Sequence, residues 1–380
     1  MKHKIAILTQ PLGINYGGIM QNYALQKVIK DLGYNPITID RRNNSKPSKL
    51  VRNWLDFKVE IYYKIKNIKG LADTHYNIQR ISKYTNQFIK KHINKSESLA
   101  SEYKLNQYFE KNQFKAIIIG SDQTWRPKYS PNIYNYYLDF LKDVDTKRIA
   151  YASSFGTDEW EYTKEETIKC QGLAKKFDAI SVRENSGLIL CEKFLNVKAQ
   201  HVLDPTLLLL KKDYALLIKG NNRKTNKQNG LYTYVLDEGK KNDEIIQFCL
   251  GKLQLKQFKN QYQKSIYKSD SKKIEEYRLP PLEDWLSGFR DADFVITDSF
   301  HGTIFSIIYN KPFISITNSK RGASRFISLL SALGLEHRLV NKLSEISDDI
   351  LYKPIDYSQV NEKLNMLKKS SIQFLKENLS

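Results

Sequence analysis

Short apolar runs alternate along the chain with longer helical segments, and polar loops separate the two. The apolar runs have the length of buried strands: Ile5 to Thr9, Asn35 to Asp40, Ala116 to Ile119, Arg148 to Ser153, Ala179 to Val182 and Ala199 to Leu203. The first longer segment, Ile19 to Leu32, predicts a helix that Gly33 closes. Strands and helices in alternation are typical of a parallel sheet covered by helices.

A second group of strands follows residue 206. Strands are predicted over 231–236, Phe294 to Thr297 and Phe313 to Ile316, and helices over Asp243 to Leu253, in "LPPLEDWLSGFRDA" and over Thr303 to Asn310. For a chain of 380 residues, the pattern predicts an α/β fold of two Rossmann-like domains with a cleft between them, residues 1–206 and 207–345. Residues 346–380 contain an amphipathic helix that Asp356 caps, and its apolar stripe needs a partner.

The net charge of the chain is strongly positive, at +20. Only 13 of the 61 basic residues are arginine, a lysine bias that an AT-rich genome can produce as well as a binding surface can. Residues 46–95 carry +9 of this charge, interleaved with aromatic residues, in a helical insertion predicted at about 45–110. This segment is either a solvated surface or a site of peripheral contact with an anionic membrane. Lysines without a nucleic-acid motif do not indicate binding to RNA or DNA.

The composition excludes several classes of protein. No run approaches the ~20 apolar residues of a transmembrane helix, and the apolar run near the N-terminus is too short for a signal peptide. Cys170, Cys191 and Cys249 lie far apart without CxxC spacing, which fits a reducing cytosol. The sequence therefore predicts a cytoplasmic protein with no metal site.

One histidine stands between two buried strands, in "VITDSFHGTIFSIIYNKPFISI" at residues 295–316. The polar cluster Asp298 to Gly302 follows the strand Phe294 to Thr297, at the edge where open α/β sheets bind ligands. His301 then lies at the start of a helix, whose free amide groups attract anions. From these residues alone, a capping or packing role for His301 and a functional role are both open.

Three further loops carry polar residues at strand ends: "GINYGG" with Asn15, Gly17 and Gly18, "GSDQTW" with Asp122, and "SVREN" with Arg183. The glycines lack the GxGxxG spacing, so a dinucleotide site is not indicated. Adjacent glycines that open a helix still let an anion approach the backbone closely. Each loop alone has a structural explanation, as a turn, a cap or a surface ion pair. Four such loops at strand ends predict a shared site.

Six motifs occur along the chain in a fixed order: "GSDQTW", "YASSFG", "SVRENSG", "LDPTLLL", "TDSFHGTIFSIIYNKPFISI" and "RGASRFISLL". From "GGIMQNYALQ" to about residue 335, their order and spacing resemble those of the bacterial polysaccharide pyruvyl transferase family. The resemblance implies a fold similar to the glycosyltransferase-B type, with the C-terminal helix packing back on the N-terminal domain. It also implies transfer of the carboxyvinyl carbons of phosphoenolpyruvate (PEP) onto two hydroxyls of one sugar. The product is a cyclic ketal, and phosphate leaves.

The resemblance also assigns residues. Arg183 matches the PEP-binding arginine of the family, and His301 matches its signature histidine, which implies phosphate binding and proton transfer. Some relatives have an arginine two residues before that histidine, where this chain has Ser299, so Arg321 or Arg325 is expected to supply the charge. The residues expected to bind PEP are Arg183, Ser299, Phe300, His301, Gly302, Thr303, Arg321 and Arg325. PEP is the donor substrate, and no separate cofactor or metal is expected.

The chemistry of ketal formation assigns the remaining parts. The methylene carbon of PEP must take up a proton, and the attacking hydroxyl must lose one. A carboxylate suits the second task and offsets the positive character that develops at C2. Asp122 is the candidate base, in line with a family position at this loop, and His301 is the second catalytic candidate. The predicted contacts to the acceptor, a glycan or lipid-linked oligosaccharide, are Asn15, Gly17, Gly18, Asn22, Asp122 and Trp125.

Three alternative functions stay open from the sequence. A glycosyltransferase of the same fold would bind a nucleoside diphosphate with its C-terminal domain instead of PEP. A glycan-binding protein without activity would not need Asp122, Arg183 and His301. A basic nucleic-acid binder would show salt-dependent binding to random duplex.

Overall fold

The predicted strands form two separate parallel sheets in the computed structural model of this protein. The structure describes residues 2–42, 75–142, 145–219, 229–237, 239–261, 277–317 and 322–380, and within 43–74 only residues 54, 57–59, 61, 62, 65 and 66. The strands are β1 (Lys4–Leu8), β2 (Asn35–Arg41), β3 (Lys95–Leu99), β4 (Ala116–Ile119), β5 (Lys147–Ser153), β6 (Ala179–Val182), β7 (Gln200–His201), β8 (Leu231–Tyr234), β9 (Gln257–Phe258), β10 (Phe294–Thr297), β11 (Phe313–Ile316) and β12 (Leu339–Val340). In the described part of the chain, one sheet has the order β3-β2-β1-β4-β5-β6-β7 and the other β12-β11-β10-β8-β9.

Helices cover both sheets. Those with defined ends are α1 (Tyr16–Asp31), α2 (His75–Ile81), α3 (Lys83–His92), α4 (Glu102–Lys111), α5 (Lys164–Ala174), α6 (Asn185–Leu190), α7 (Lys211–Lys219), α8 (Lys240–Leu253), α9 (Leu282–Asp291), α10 (Phe300–Ile308), α11 (Ser324–Leu333), α12 (Asp348–Tyr352) and α13 (Tyr357–Leu379). The prediction of an α/β fold with two Rossmann-like sheets is thus confirmed.

Strand β1 shows why the central strands of the first sheet are continuous apolar runs in the sequence. Ile5 and Ile7 belong to one hydrophobic cluster, whereas Ala6 and Leu8 belong to another. Because successive side chains of a strand point to opposite faces, both faces of this sheet are covered. Parallel sheets of this kind are buried on both sides and lack an apolar–polar alternation.

The hydrophobic core continues from the first sheet to the helices of the second. The ring centroids of Tyr16, in α1, and Trp285, in α9, lie 5.5 Å apart within one buried cluster. Close by along the chain, Leu279 N donates to the carbonyl oxygen of Ile81 at 3.0 Å. Apolar packing therefore fixes the second sheet and its helices against the first turn of α1.

Two elements differ from the sequence-based prediction. Strand β3 lies at the edge of the first sheet, beside β2, inside the insertion that was predicted to be helical. Only Ser96 and Leu99 of this strand are buried, so it contains no apolar run that would reveal it. Helix α10 starts at Phe300, earlier than predicted, and Ser299 caps it. His301 consequently lies in the first turn of the helix.

The C-terminal helix α13 packs on the first sheet, as predicted. Phe374 lies against Tyr151 of β5, with ring centroids 6.1 Å apart. At the end of the helix, Tyr34 Oη donates to the carbonyl oxygen of Leu379 at 2.6 Å. Asp356 Oδ1 accepts from two amides of the first turn, so the predicted cap is also present.

Ser371→Ala tests how strongly α13 stabilises the first sheet. Ser371 Oγ accepts a hydrogen bond from Leu203 N at 3.0 Å and donates one to the carbonyl oxygen of Leu367 at 2.8 Å. Its loss leaves a buried amide without this partner, so we expect the free energy of unfolding in urea to fall by roughly 1 to 3 kcal/mol. The exposed neighbour gives a control, because Ser370→Ala should change this value by less than ~0.5 kcal/mol. Equal small effects of the two variants would contradict the role assigned to Ser371.

Candidate functional site

Asp122 follows β4 in a left-handed backbone conformation. Its φ of 77° is unfavourable for a residue other than glycine, and such strain is concentrated at functional sites. The carbonyl oxygen of Asp122 accepts from Thr124 N at 2.7 Å and Ser154 N at 3.1 Å, which holds the turn. Its carboxylate points toward α1, since Oδ2 lies 3.4 Å from where a Cβ on Gly18 would stand.

Arg183 follows β6 and is buried between two carboxylates. Nη1 donates to Asp204 Oδ2 at 2.6 Å, and Nη2 lies 3.4 Å from Asp122 Oδ1. Nε has no hydrogen-bond partner among the described residues. Burial lowers the pKa of this guanidinium, but Asp204, Asp122 and Glu184 more than offset burial and raise the pKa. Arg183 is therefore a cation whose Nε–H group has no partner among the described residues.

Asp204 belongs to the same cluster, although sequence reasoning assigned it no role. It follows β7 and caps the short turn Pro205–Leu208, and its side chain is completely buried. Burial would raise the pKa of Asp204, but His301, Arg183 and Thr206 hold the pKa well below its usual range. The aspartate of "LDPTLLL" directly precedes a proline at a strand end, and that position was the available signal.

His301 enters this cluster from the helix that follows β10 of the second sheet. Its Nε2 lies 3.6 Å from Asp204 Oδ2, which is an ion-pair distance longer than a strict hydrogen bond. On the other side of the ring, a Cβ on Gly17 would lie 2.1 Å from Nδ1. The absence of a side chain at Gly17 therefore lets the imidazole ring of His301 approach α1 closely. The ring is held between α1 and Asp204, and His301 is only 6% exposed.

Phe300 connects Arg183 to Arg325. The guanidinium of Arg183 lies 4.8 Å from the centroid of the Phe300 ring, and that of Arg325 lies 5.5 Å from it. Arg325 is buried in the first turn of α11. Burial and the positive charge of Arg183 together lower the pKa of Arg325 to about 10. Because the positive charges of Arg183 and Arg325 repel each other, an anion bound beside them would be stabilised.

Glu184 is a second buried carboxylate that sequence reasoning missed, although it stands next to Arg183. Its Oε1 accepts hydrogen bonds from three donors in the loop after β5: Ser154 Oγ at 2.9 Å, Phe155 N at 2.8 Å and Gly156 N at 3.1 Å. Glu184 thereby fixes that loop beside Asp122. Oε2 has no hydrogen-bond partner in the part of the chain that the structure describes.

The residues predicted to contact the acceptor are divided between the site and the core. Gly17 and Gly18 lie against His301 and Asp122, and Asn15 caps α1 by accepting from Gly18 N at 3.2 Å. Asn22 and Trp125 are fully buried elsewhere. Asn22 Oδ1 accepts from Thr38 Oγ1, and the Trp125 ring stacks on Tyr137 with centroids 5.0 Å apart. The geometry therefore places these two side chains in the interior, where a glycan has no access to them.

Three of the residues predicted to bind PEP help to build α10. Ser299 Oγ accepts from Gly302 N at 3.3 Å and caps the helix. Gly302 leaves room for Thr297, because a Cβ on it would stand 2.2 Å from Thr297 Oγ1. Thr303 is buried, and its hydroxyl hydrogen-bonds that of Ser315. Arg321 lies outside the described residues.

The formal charge of the described site is close to balanced. It contains two arginines, Arg183 and Arg325, and three carboxylates, Asp122, Asp204 and Glu184. The amide ends of α1 and α10 add partial positive charge on the side where Gly17 meets His301. An anion that binds here would therefore be stabilised by these helix ends as well as by the arginines.

The two parallel sheets, with polar groups gathered where they meet, define a protein of the glycosyltransferase-B type of fold. A similar solved structure is that of UGT89C1 from Arabidopsis thaliana complexed with UDP-L-rhamnose, which is 8% identical and has a TM-score of 0.55 with 100% of both chains covered. Another is S. aureus MnaA with UDP, which is 10% identical and has a TM-score of 0.49, with 96% of this chain and 91% of that chain covered. At 8% identity the likeness to UGT89C1 establishes the fold alone.

The family is established by the sequence. The model of the polysaccharide pyruvyl transferase family matches residues 15–320, a range that contains Asp122, Arg183, Asp204 and His301. The chain belongs to the polysaccharide pyruvyl transferase family. No curated protein matches it.

None of the helices in the described residues combines the length and the apolar character needed to cross a membrane. The same residues contain no group of three or more His, Cys, Asp or Glu side chains arranged to hold a metal ion.

Gly17→Ala is expected to displace His301 and lower pyruvyl transfer by about tenfold, or 1.4 kcal/mol. The added methyl group would lie 2.1 Å from Nδ1, so the ring must move. Gly172→Ala in α5 is the matched control, since a Cβ there meets nothing within 4 Å. That variant should keep full turnover and gain up to ~1 kcal/mol in stability from helix propensity. Wild-type turnover in Gly17→Ala would show that the observed ring position is unimportant.

Proposed function

We propose that this protein transfers the pyruvyl group of PEP to two hydroxyls of one sugar, forming a cyclic ketal and releasing phosphate. The observation that carries the proposal is that Asp122 pairs with Arg183, and that Asp204 lies between Arg183 and His301, in a chain of the pyruvyl transferase family. The acceptor is a cell-surface polysaccharide or its lipid-linked precursor. PEP serves as the donor substrate, and the proposed reaction uses no separate cofactor.

PEP carries two anionic groups, and the site offers partners suited to each. Arg183 and Arg325 flank Phe300, and a planar guanidinium can hold a carboxylate with two parallel hydrogen bonds. The first turn of α10 directs the positive end of its dipole toward a phosphate. We therefore assign the PEP carboxylate to the arginines, and the phosphate to His301 and the amides of α10.

The reaction requires two proton transfers. Asp122 removes the proton of the first hydroxyl as its oxygen bonds to C2, while His301 donates a proton to the methylene carbon C3, which becomes a methyl group. The bond from C2 to the phosphate oxygen then breaks, and the carboxylate of Asp122 offsets the positive character at C2. The second hydroxyl adds to C2, and its proton leaves with phosphate. Two hydroxyl protons thus account for the methyl group and the released hydrogen phosphate.

Release of phosphate from PEP, measured across a panel of lipid-linked and free glycans, tests this function. With a suitable acceptor, phosphate and pyruvylated glycan should form in equal amounts. PEP should also raise the melting temperature of the protein in the presence of a chelator, because a ligand that binds only the folded state stabilises it. A sugar nucleotide that stabilises the protein and reacts, while PEP does neither, would identify a glycosyltransferase instead.

The proposed acceptor suggests a cytoplasmic protein with peripheral contact at the inner face of the membrane. Helical backbone is described at residues 54, 57–59, 61, 62 and 65. The sequence spacing of Trp54, Phe57 and Ile65 is that of one helix face, and these residues are 54%, 61% and 75% exposed. Lys58 Nζ lies 3.7 Å from the centroid of the Trp54 ring. An exposed apolar face with lysine beside it is typical of helices that lie on anionic membranes.

Sedimentation with liposomes checks this contact. We expect binding to anionic vesicles at low salt that weakens at high salt, since each lysine near the surface contributes roughly 1 kcal/mol. Replacing Trp54 and Ile65 together by serine should abolish the binding. Tyr103→Ser, which changes a residue that is 69% exposed on α4, is the control and should leave it intact. Equal sedimentation with neutral and anionic vesicles would mean that the segment is a solvated surface.

A further inference from the structure

Asp204 is a buried carboxylate that touches both Arg183 and His301 but takes no part in the proposed chemistry. Its Oδ1 accepts from Thr206 N at 3.0 Å and from Thr206 Oγ1 at 2.6 Å. Its Oδ2 accepts from Arg183 Nη1 at 2.6 Å and lies 3.6 Å from His301 Nε2. The side chain is 0% exposed. Asp204 can therefore influence a substrate only through these neighbours.

The position of the His301 ring depends on two contacts on opposite sides. Nε2 faces Asp204 Oδ2, and the face of the ring lies against Gly17, since a Cβ there would stand 2.1 Å from Nδ1 and 2.5 Å from Cγ. A carboxylate that accepts from one ring nitrogen fixes the orientation and tautomer of an imidazole and stabilises its protonated form. The distance of 3.6 Å is longer than a hydrogen bond, but catalytic hydrogen bonds commonly tighten when substrate binds.

We infer that Asp204 is a positioning residue that holds a proton on Nε2 of His301 and keeps Arg183 beside the same oxygen. The inference rests on the proposed function, in which His301 binds phosphate and transfers a proton. Asp204 follows the last strand of the first sheet, whereas His301 follows β10 of the second. The contact therefore makes the orientation of His301 depend on how the two sheets meet.

Charge supports this role. The described site has three carboxylates against two arginines, so an N–H donor from His301 would stabilise a carboxylate that the arginines do not fully neutralise. Asp204 pairs with the imidazole of His301 across 3.6 Å, and Arg183 alone cannot neutralise both Asp204 and Asp122. A purely structural Asp204 would instead cap the turn Pro205–Leu208 and pair with Arg183, without reference to His301.

A double-mutant cycle separates these two roles. Asp204→Asn keeps the size of the side chain and an oxygen for Thr206 but removes the charge. We expect it to lower kcat for PEP by at least about tenfold in the wild-type background, and by less than about twofold when His301 is already glutamine. Asp204→Glu, which restores the charge, should recover part of kcat. The same factor in both backgrounds would overturn the inference, because Asp204 would then act independently of His301.

Nitrogen NMR of histidine-labelled protein gives a readout that does not depend on turnover. The chain has six histidines, and the signal lost in His301→Gln identifies His301. We expect its proton on Nε2 in the wild type, and a change at this signal in Asp204→Asn. If Asp204→Asn does not fold, the wild-type spectrum still decides, since a lone pair on Nε2 facing Asp204 would overturn the inference. Failure of wild-type protein to consume PEP would refute the proposed function, whereas the NMR result concerns Asp204 alone.

Discussion

His301→Ala is expected to fold and to lose at least about a hundredfold in the rate of PEP turnover. The ring lies between Gly17 and Asp204, so its removal takes away both the phosphate contact and the proton donor. Asp204 keeps Arg183 and Thr206 as partners after the change. We therefore expect the loss in free energy of unfolding to stay within roughly 1 to 3 kcal/mol.

Two further variants distinguish catalysis from packing. His301→Gln keeps a hydrogen-bond donor of similar size, so it should regain stability but not turnover, because an amide cannot shuttle a proton. His92→Ala is the matched control: His92 packs on Phe88, with ring centroids 4.6 Å apart, and lies in α3. It should lower the melting temperature and leave turnover unchanged. A large fall in melting temperature with turnover preserved in His301→Ala would make His301 a packing residue.

The central strands of both sheets and the edge strand β7 could be predicted from the sequence, but the edge strands β3, β9 and β12 could not. Strands β4, β6, β10 and β11 begin and end where the apolar runs predict. Strands β3, β9 and β12 lie at the sheet edges, and β9 and β12 have only two residues each. An edge strand pairs on one side and is not buried on both faces, so it does not require a continuous apolar run.

The sequence predicted which loops form the candidate site, but it did not predict which side chains of those loops point into the site. Asp122, Arg183 and His301 were chosen because each follows a strand. The structure pairs Asp122 with Arg183, and Asp204 links Arg183 to His301. Proximity in sequence does not tell which way a side chain points, and Trp125, three residues after Asp122, is fully buried in the core. The contact between Gly17 and His301 joins the two halves of the chain and depends on tertiary packing, which no local pattern records.

Arg183→Lys is expected to abolish most of the rise in melting temperature that PEP produces. A guanidinium can face Asp204, Asp122 and a ligand carboxylate at once because its N–H groups point in fixed, separate directions. An ammonium is a point charge on a flexible stem and can serve one of these partners well. The stability without PEP should also fall. Removing one partner of a buried pair typically costs about 3 to 5 kcal/mol, and lysine retains only part of the pairing.

Arg41→Lys is the control that separates ligand binding from the loss of a buried arginine. Arg41 is also buried and bonded through two groups, with Nε donating to Asn135 Oδ1 at 2.7 Å and Nη2 to Glu102 Oε1 at 2.7 Å. It ends β2, four strands away from β6 in the sheet, which corresponds to roughly 19 Å at the usual strand spacing. Arg41→Lys should lower stability without changing the PEP-induced shift. If instead both variants keep the full shift, the carboxylate of PEP binds elsewhere, and Arg183 serves to hold Asp122 and Asp204 in place.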